Sequence, residues 1–293
     1  MNMLRPFTVQ IRREFWEYRG ILVWLPLFLL GLITLAGLIF AIGFATGWIN
    51  VQPSGRADPA QVGRLILAMG SFIYGIFAYA LAIYLIQALY SDRSNGSVLF
   101  WRSLPVSDTR NVLGKVVTAG LVGPAFVWLV TVATSLLVLV MLALAAGARG
   151  AAGFSVFSPL ALLGAWGLFA YAILIQFLWW LPYIGWLLFA SAAAPRVPFL
   201  WAVLPPVIAG FIELIALRSS HLFSFFARHL ANMPIGPVAF SWSPTQLNAL
   251  GFAGSNFDRT TRFLTLPSMW IGVGIGIILI ILAIIARRYT ATR

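Results

Sequence analysis

A chain of 293 residues that is 61% hydrophobic and only 9% charged has too little polar surface to coat a water-soluble globule. It contains no cysteine, which excludes disulfide frameworks, thiolate metal sites and cysteine nucleophiles together. Its net charge of +12 would suggest nucleic acid in a soluble protein, but the placement of the charges gives a simpler account and argues against nucleic-acid binding.

The chain opens with Leu4, Phe7, Ile11, Phe15 and Tyr18 at helical spacing, while Arg5, Gln10, Arg12, Arg13, Glu14, Glu17 and Arg19 fill the other face. Residues 1–20 therefore predict an amphipathic elbow helix lying in a headgroup layer, either as a topology anchor or with a role of its own, and Gly20 is expected to turn it into the first span. Charges and aromatics precede a run too long for a signal-peptide core, so no cleaved leader is expected here.

Six uncharged apolar runs follow: Ile21–Trp48, Leu65–Tyr90, Val116–Leu144, Leu160–Ala190, Val197–Leu217 and Met269–Ala286. Each is long enough to cross a hydrocarbon core of about 30 Å as a helix. Backbone amides in lipid must be paired within the segment, and outer-membrane strands would be shorter and alternate in polarity. The prediction is an all-α, polytopic membrane protein of six transmembrane helices forming one domain, 1–293. Pro26, Pro124, Pro182 and Pro205-Pro206 should kink or break their helices. Gly43-x-x-x-Gly47 and Gly272-Val-Gly-Ile-Gly276 read as close-packing devices. The fourth run, roughly 46 Å long as helix, must tilt, protrude or break near Pro182. Trp179, Trp180, Tyr183 and Trp186 cluster there as packing or interfacial aromatics, with ligand stacking the alternative.

With both termini in the cytoplasm, Arg5, Arg12, Arg13, Arg19, Arg93, Arg102, Arg110, Lys115, Arg196, Arg287, Arg288 and Arg293 face inward. The short outer loops hold only Arg56, Arg64 and Arg149, which is the asymmetry that orients spans. The longer outer loop, 218–267, exceeds a plain connector and is expected to hold a short amphipathic helix followed by an irregular cap. Its His221 and His229 lack the partners of a metal site.

Between the second and third runs lies the polar hinge 91–115. Asp92 and Arg93 close the second span, Asn95-Gly96 signals a turn, and Ser97 can cap a short helix from Val98 to Leu104 that Pro105 ends. Ser107 or Asp108 then caps the helix leading into the third span. The short helix displays Leu99, Phe100 and Trp101 at the cytoplasmic face, for a protein partner or for the headgroups.

The string Ser91-Asp-Arg-Ser-Asn-Gly-Ser-Val-Leu-Phe-Trp-Arg-Ser-Leu-Pro-Val-Ser-Asp108, followed by Leu113-Gly-Lys115, resembles the cytoplasmic loop of bacterial type-2 ABC exporter permeases. Trp180-Leu-Pro182, Gly185-Trp186, Ser191 and Pro198-Phe-Leu-Trp-Ala202 extend the resemblance, which covers essentially the whole chain. Asp92 departs from the family's commoner Glu, and Trp101-Arg102 makes the loop helix bulkier than usual. The resemblance implies that Ser97–Leu104 is a coupling helix seated on a separate cytoplasmic ABC ATPase subunit. Asp92, Arg93, Gly96, Ser97, Val98, Leu99, Phe100, Trp101, Arg102, Leu104 and Pro105 would form the coupling element. Two permease chains, identical or different, and two ATPases would form the working unit in the bacterial inner membrane. ATP and magnesium would belong to the partner. This chain has no Gly-x-x-x-x-Gly-Lys-Ser/Thr string with which to cradle phosphates and is expected to carry no cofactor, metal or catalytic residue.

Glu213, the one acid within a run, and Gln176 are the candidate pathway residues for a hydrophobic or amphipathic substrate. Structural roles, such as pairing of Glu213 with Arg218 or interhelical bonding of Gln176, compete with that reading. A non-transporting scaffold or sensor of permease architecture is an alternative. A membrane-embedded enzyme would need a convergent catalytic set that the runs do not show.

Overall fold

The computed structural model describes residues 4–49, 59–94, 107–150, 158–231, 234–235 and 249–290. Every regular element among them is helical. In chain order these are α1 Leu4–Glu17, α2 Leu25–Ala45, α3 Pro59–Ser94, α4 Asp108–Val117, α5 Gly123–Ala148, α6 Pro159–Ala193, α7 Pro198–Ala216, α8 His221–Ala231, α9 Ala249–Thr265 and α10 Pro267–Thr290. Six stretches are long and apolar enough to span a membrane: Gly20–Ala45, Gln61–Ser94, Asp108–Ala148, Pro159–Ala193, Pro198–Ala216 and Pro267–Tyr289. They correspond one for one to the six apolar runs, as a multi-pass membrane protein requires. Gly96, Ser97, Val98, Leu99, Phe100, Trp101, Arg102, Leu104 and Pro105, and with them the expected coupling helix, lie outside the described residues.

Prolines near helix starts act through a wider turn. Pro26 and Pro124 each stand at the second residue of a helix that follows a π turn, Gly20–Trp24 and Thr118–Val122. A proline ring crowds the carbonyl four residues back, so the ladder opens by one residue. Leu25 accordingly bonds to the Gly20 carbonyl, and Gly123 to that of Thr118. Gly20, expected to turn the chain into the first span, opens the π turn Gly20–Trp24, three residues after α1 ends at Glu17. Ile21 and Leu22 both donate to the Tyr18 carbonyl at 3.0 Å, which carries helical bonding from α1 into the first span.

No break occurs at Pro182, which lies inside the unbroken 35-residue α6. The neighbouring helix α10 closes on that site. A Cβ at Gly276 would stand 2.6 Å from the Leu181 carbonyl carbon, and one at Gly185 would stand 2.7 Å from the Gly276 oxygen. The two helices thus pack backbone to backbone where the proline has removed a donor. Gly43 and Gly47 serve a different purpose from helix packing. Gly47 takes φ +83° in the turn that ends α2, and a Cβ at Gly43 would run into the Ile49 side chain folded back over it.

The central helix is α6, which packs chiefly against α10 and α3, while α2 rests on α5. The membrane-spanning helix with the barest flank is α7, where Phe199, Leu200, Trp201, Ile208, Ile212 and Ile215 are all exposed. After α7 the chain does not stay outside the bundle. Arg218 adopts φ 47°, and α8 then doubles back along α7, with Phe223 edge-on to Phe211 at 5.7 Å between centroids. Further along α8, the Phe226 carbonyl accepts from the Tyr183 hydroxyl, 3.4 Å away on α6. The expected short helix is therefore present, and the 17-residue α9 stands in the stretch where an irregular cap is expected.

Candidate functional site

At one end of the bundle, here called basal, the C-termini of α3 and α10 meet α1 and the N-terminus of α4. Lys115 and Glu14 have no exposed side-chain surface, and Lys115 Nζ lies 2.8 Å from Glu14 Oε1 and 3.6 Å from Asp92 Oδ2. Arg287 bonds Asp92 Oδ2 at 3.0 Å and Asp108 Oδ1 at 3.1 Å. The Tyr84 hydroxyl donates to Glu14 Oε2 at 2.9 Å, and the Asn111 amide sits against both Asp92 and Arg287. Three carboxylates and two cations from four helices thus form one connected network. Only Asp108, with a third of its side chain exposed, reaches the surface. Beside it, Tyr18 shares a hydrogen bond of 2.9 Å with Ser91, and burial pushes its phenol above the ordinary tyrosine pKa.

Local sequence accounts for each arrival. Ser107 caps α4 by accepting from the Arg110 amide at 3.3 Å, as expected, which sets Asp108, Asn111 and Lys115 one turn apart on one face. Gly114 faces α1, where a Cβ would rest in ordinary van der Waals contact with Gln10 at 3.4 Å. Gln10 and Glu14 are buried, a correction to their placement on the polar face of α1. Arg93 does not join the network. It donates to the carbonyls of Ser191 and Ala194 at 2.8 and 2.9 Å, fastening the end of α3 to the end of α6.

The two candidate pathway residues, Glu213 and Gln176, are both engaged with the doubled-back segment. Glu213 Oε1 accepts from the Ser219 hydroxyl and the His221 amide, and Oε2 from the Leu222 amide, all at 2.8 Å. Its partners are the free donors at the start of α8 rather than Arg218, an arrangement in which carboxylate charge and helix polarity agree. Gln176 Oε1 accepts from the Ile235 amide at 3.4 Å, and the Ser71 hydroxyl donates to the Ile235 carbonyl at the same distance. Backbone taken into an apolar slab needs such partners, because lipid offers none. Ser71, Gln176 and Ile235 also line a cavity of about 350 Å³ between α3 and α6. Trp179 packs edge-on to Phe263 of α9 at 5.1 Å, whereas Trp180 and Tyr183 line the cavity.

The basal network was missed because its partners are up to 195 residues apart. One signal was nevertheless present. Glu14 is three residues after Ile11 and four before Tyr18, and so belongs to the apolar stripe of α1. Comparison with protein-family models, curated proteins and solved structures finds no match to this chain.

Proposed function

We propose that this chain is the transmembrane permease subunit of an ATP-binding-cassette exporter of the type-2 kind, moving a hydrophobic or amphipathic substrate. The ATP and magnesium chemistry belongs to a separate cytoplasmic subunit. The basal end is cytoplasmic, α1 is an elbow helix in the inner headgroup layer, and residues 97–104 dock the ATPase. A second permease chain, identical or different, completes the unit in a bacterial cytoplasmic membrane.

One observation carries the reading. The loop that would bear the coupling helix is bracketed by Asp92 on one side and by Asp108 and Lys115 on the other, and all three belong to the buried network with Glu14 and Arg287. A push on that loop reaches α1, α3, α4 and α10 together, because separating buried charges from their partners is costly. A surface loop with no mechanical task has no need of so costly a foundation.

The test is affinity purification of the full chain from mild detergent, followed by reconstitution with what accompanies it. The expected result is a stoichiometric nucleotide-binding subunit and vesicle transport that requires ATP hydrolysis. Recovery of the complex without any nucleotide-dependent transport would favour a scaffold or sensor of the same architecture. Absence of an ATPase altogether would defeat the proposal.

A further inference from the structure

The cavity between α3 and α6 has a specific chemical character. Its α3 wall carries the small residues Gly75, Ala78 and Ala82 on one helical face, leaving a trough. Tyr79, 79% exposed, borders the trough and marks its open side, about 22 Å along α3 from Ser94. Among the described residues, no charged side chain lines the cavity. Two buried donors in this lining, Gln176 Nε2 and Trp180 Nε1, have no hydrogen-bond partner among the described residues. Gln176 is itself fully buried, and its amide oxygen is held by Ile235. Leaving a buried donor unpaired costs about 1–3 kcal/mol.

We infer that this cavity binds a neutral single-chain amphiphile, with an uncharged acceptor such as an ester or amide carbonyl placed at Gln176 Nε2 and Trp180 Nε1 and its chain in the trough. The walls favour the chain, the two donors favour an acceptor, and described lining residues without a countercharge disfavour an ionic headgroup. Ile235 is held at the cavity wall by the same Gln176 amide that offers its nitrogen to the ligand. The volume, roughly a dozen times the 30 Å³ share of a water molecule, lies at the small end of organic-ligand sites. Binding here is distinct from transport and needs no ATPase, so its failure and that of the exporter reading are separately visible.

The experiment uses the full chain in lipid nanodiscs and a monoacylglycerol carrying a photoreactive diazirine in its acyl chain. Labelling should saturate, map to residues 71–85 and 176–187, and be displaced by plain monoacylglycerol. An alkyltrimethylammonium of equal chain length should compete at least tenfold less well. Gln176→Leu should weaken labelling about tenfold, the worth of one buried hydrogen bond. Gly75→Phe should abolish it. A Cβ at Gly75 meets nothing within 4 Å, so the new ring has the trough to enter without displacing backbone. Labelling that never saturates and spreads over the exposed flank of α7 would overturn the proposal. So would equal competition by the cationic amphiphile, which is read on the unmodified chain and does not depend on any variant folding. Undiminished labelling of a Gly75→Phe chain with unchanged thermal stability would do the same.

Discussion

Lys115 and Glu14 form an ion pair of 2.8 Å with no exposed side-chain surface on either partner, although they lie 101 positions apart. Removing Lys115 alone would leave the buried Glu14 carboxylate without its cation, and breaking such a pair costs about 3–5 kcal/mol. Lys115→Met should therefore be severely destabilising. Adding Glu14→Gln should recover a substantial part of the loss, because Tyr84 can still bond the amide and Arg287 still neutralises Asp92. Thermal unfolding of the two variants and the double variant in one detergent checks this. Strictly additive losses would show that the two residues are not coupled.

The close crossing of α6 and α10 predicts opposite outcomes at two neighbouring glycines. Gly276→Ala places a methyl 2.6 Å from the Leu181 carbonyl carbon, and backbone on both sides leaves nothing to yield. A cost of about 1–3 kcal/mol or more is expected. Gly274→Ala meets nothing within 4 Å and should be neutral or slightly stabilising. Equal melting temperatures for the two variants would refute the described contact.

Glu213 now admits a sharper experiment than loss of charge alone. Three donors converge on its two oxygens, and glutamine supplies only one oxygen, so Glu213→Gln sets an NH₂ group against at least one of them. Losing the cap should cost about 0.5–2 kcal/mol. It should also speed hydrogen exchange at the α8 amides, with transport reduced modestly. Unchanged exchange together with loss of substrate-stimulated ATP hydrolysis would instead assign Glu213 to the translocation pathway.

The orientation in the proposed function makes a direct topological statement. Reporter fusions at Asn95 and Asn248 should report opposite sides of the membrane, since three spans separate them. Both reporters on one side would sink the six-span arrangement.

If residues 97–104 dock the ATPase, Phe100 and Trp101 are its apolar anchors. Each alanine substitution should cost about 2 kcal/mol of binding or more. The Phe100→Ala/Trp101→Ala chain should insert normally yet lose ATPase co-purification. Retained binding with normal transport would refute the assignment.

The spans were legible because hydropathy over about twenty residues is a physical necessity in lipid. Their ends were not. The apolar runs stop at Tyr90 and start again at Val116, where charge appears, yet α3 runs to Ser94, while α4 begins at Asp108 where the Ser107 cap signal places it. Backbone bonding ignores side-chain charge, and Asp92 and Lys115 stay helical because partners from other helices bury them. Glu213 and Gln176 stood out as costly groups in an apolar setting. Their partners could not be read, since the start of α8 and the backbone of Ile235 acquire meaning only once the chain has folded back between the spans. Gly47 was read as a packing residue because a small-xxx-small spacing cannot be told from a glycine needed for positive φ.

The basal network also fixes an order of events during synthesis. Asp92 and Asp108 emerge 195 and 179 residues before Arg287, the cation that both of them bond. Until α10 arrives, neither carboxylate has the Arg287 guanidinium that later joins them. A chain cut short before Arg287 would therefore make its helices without the one side chain that ties the ends of α3 and α4 to α10.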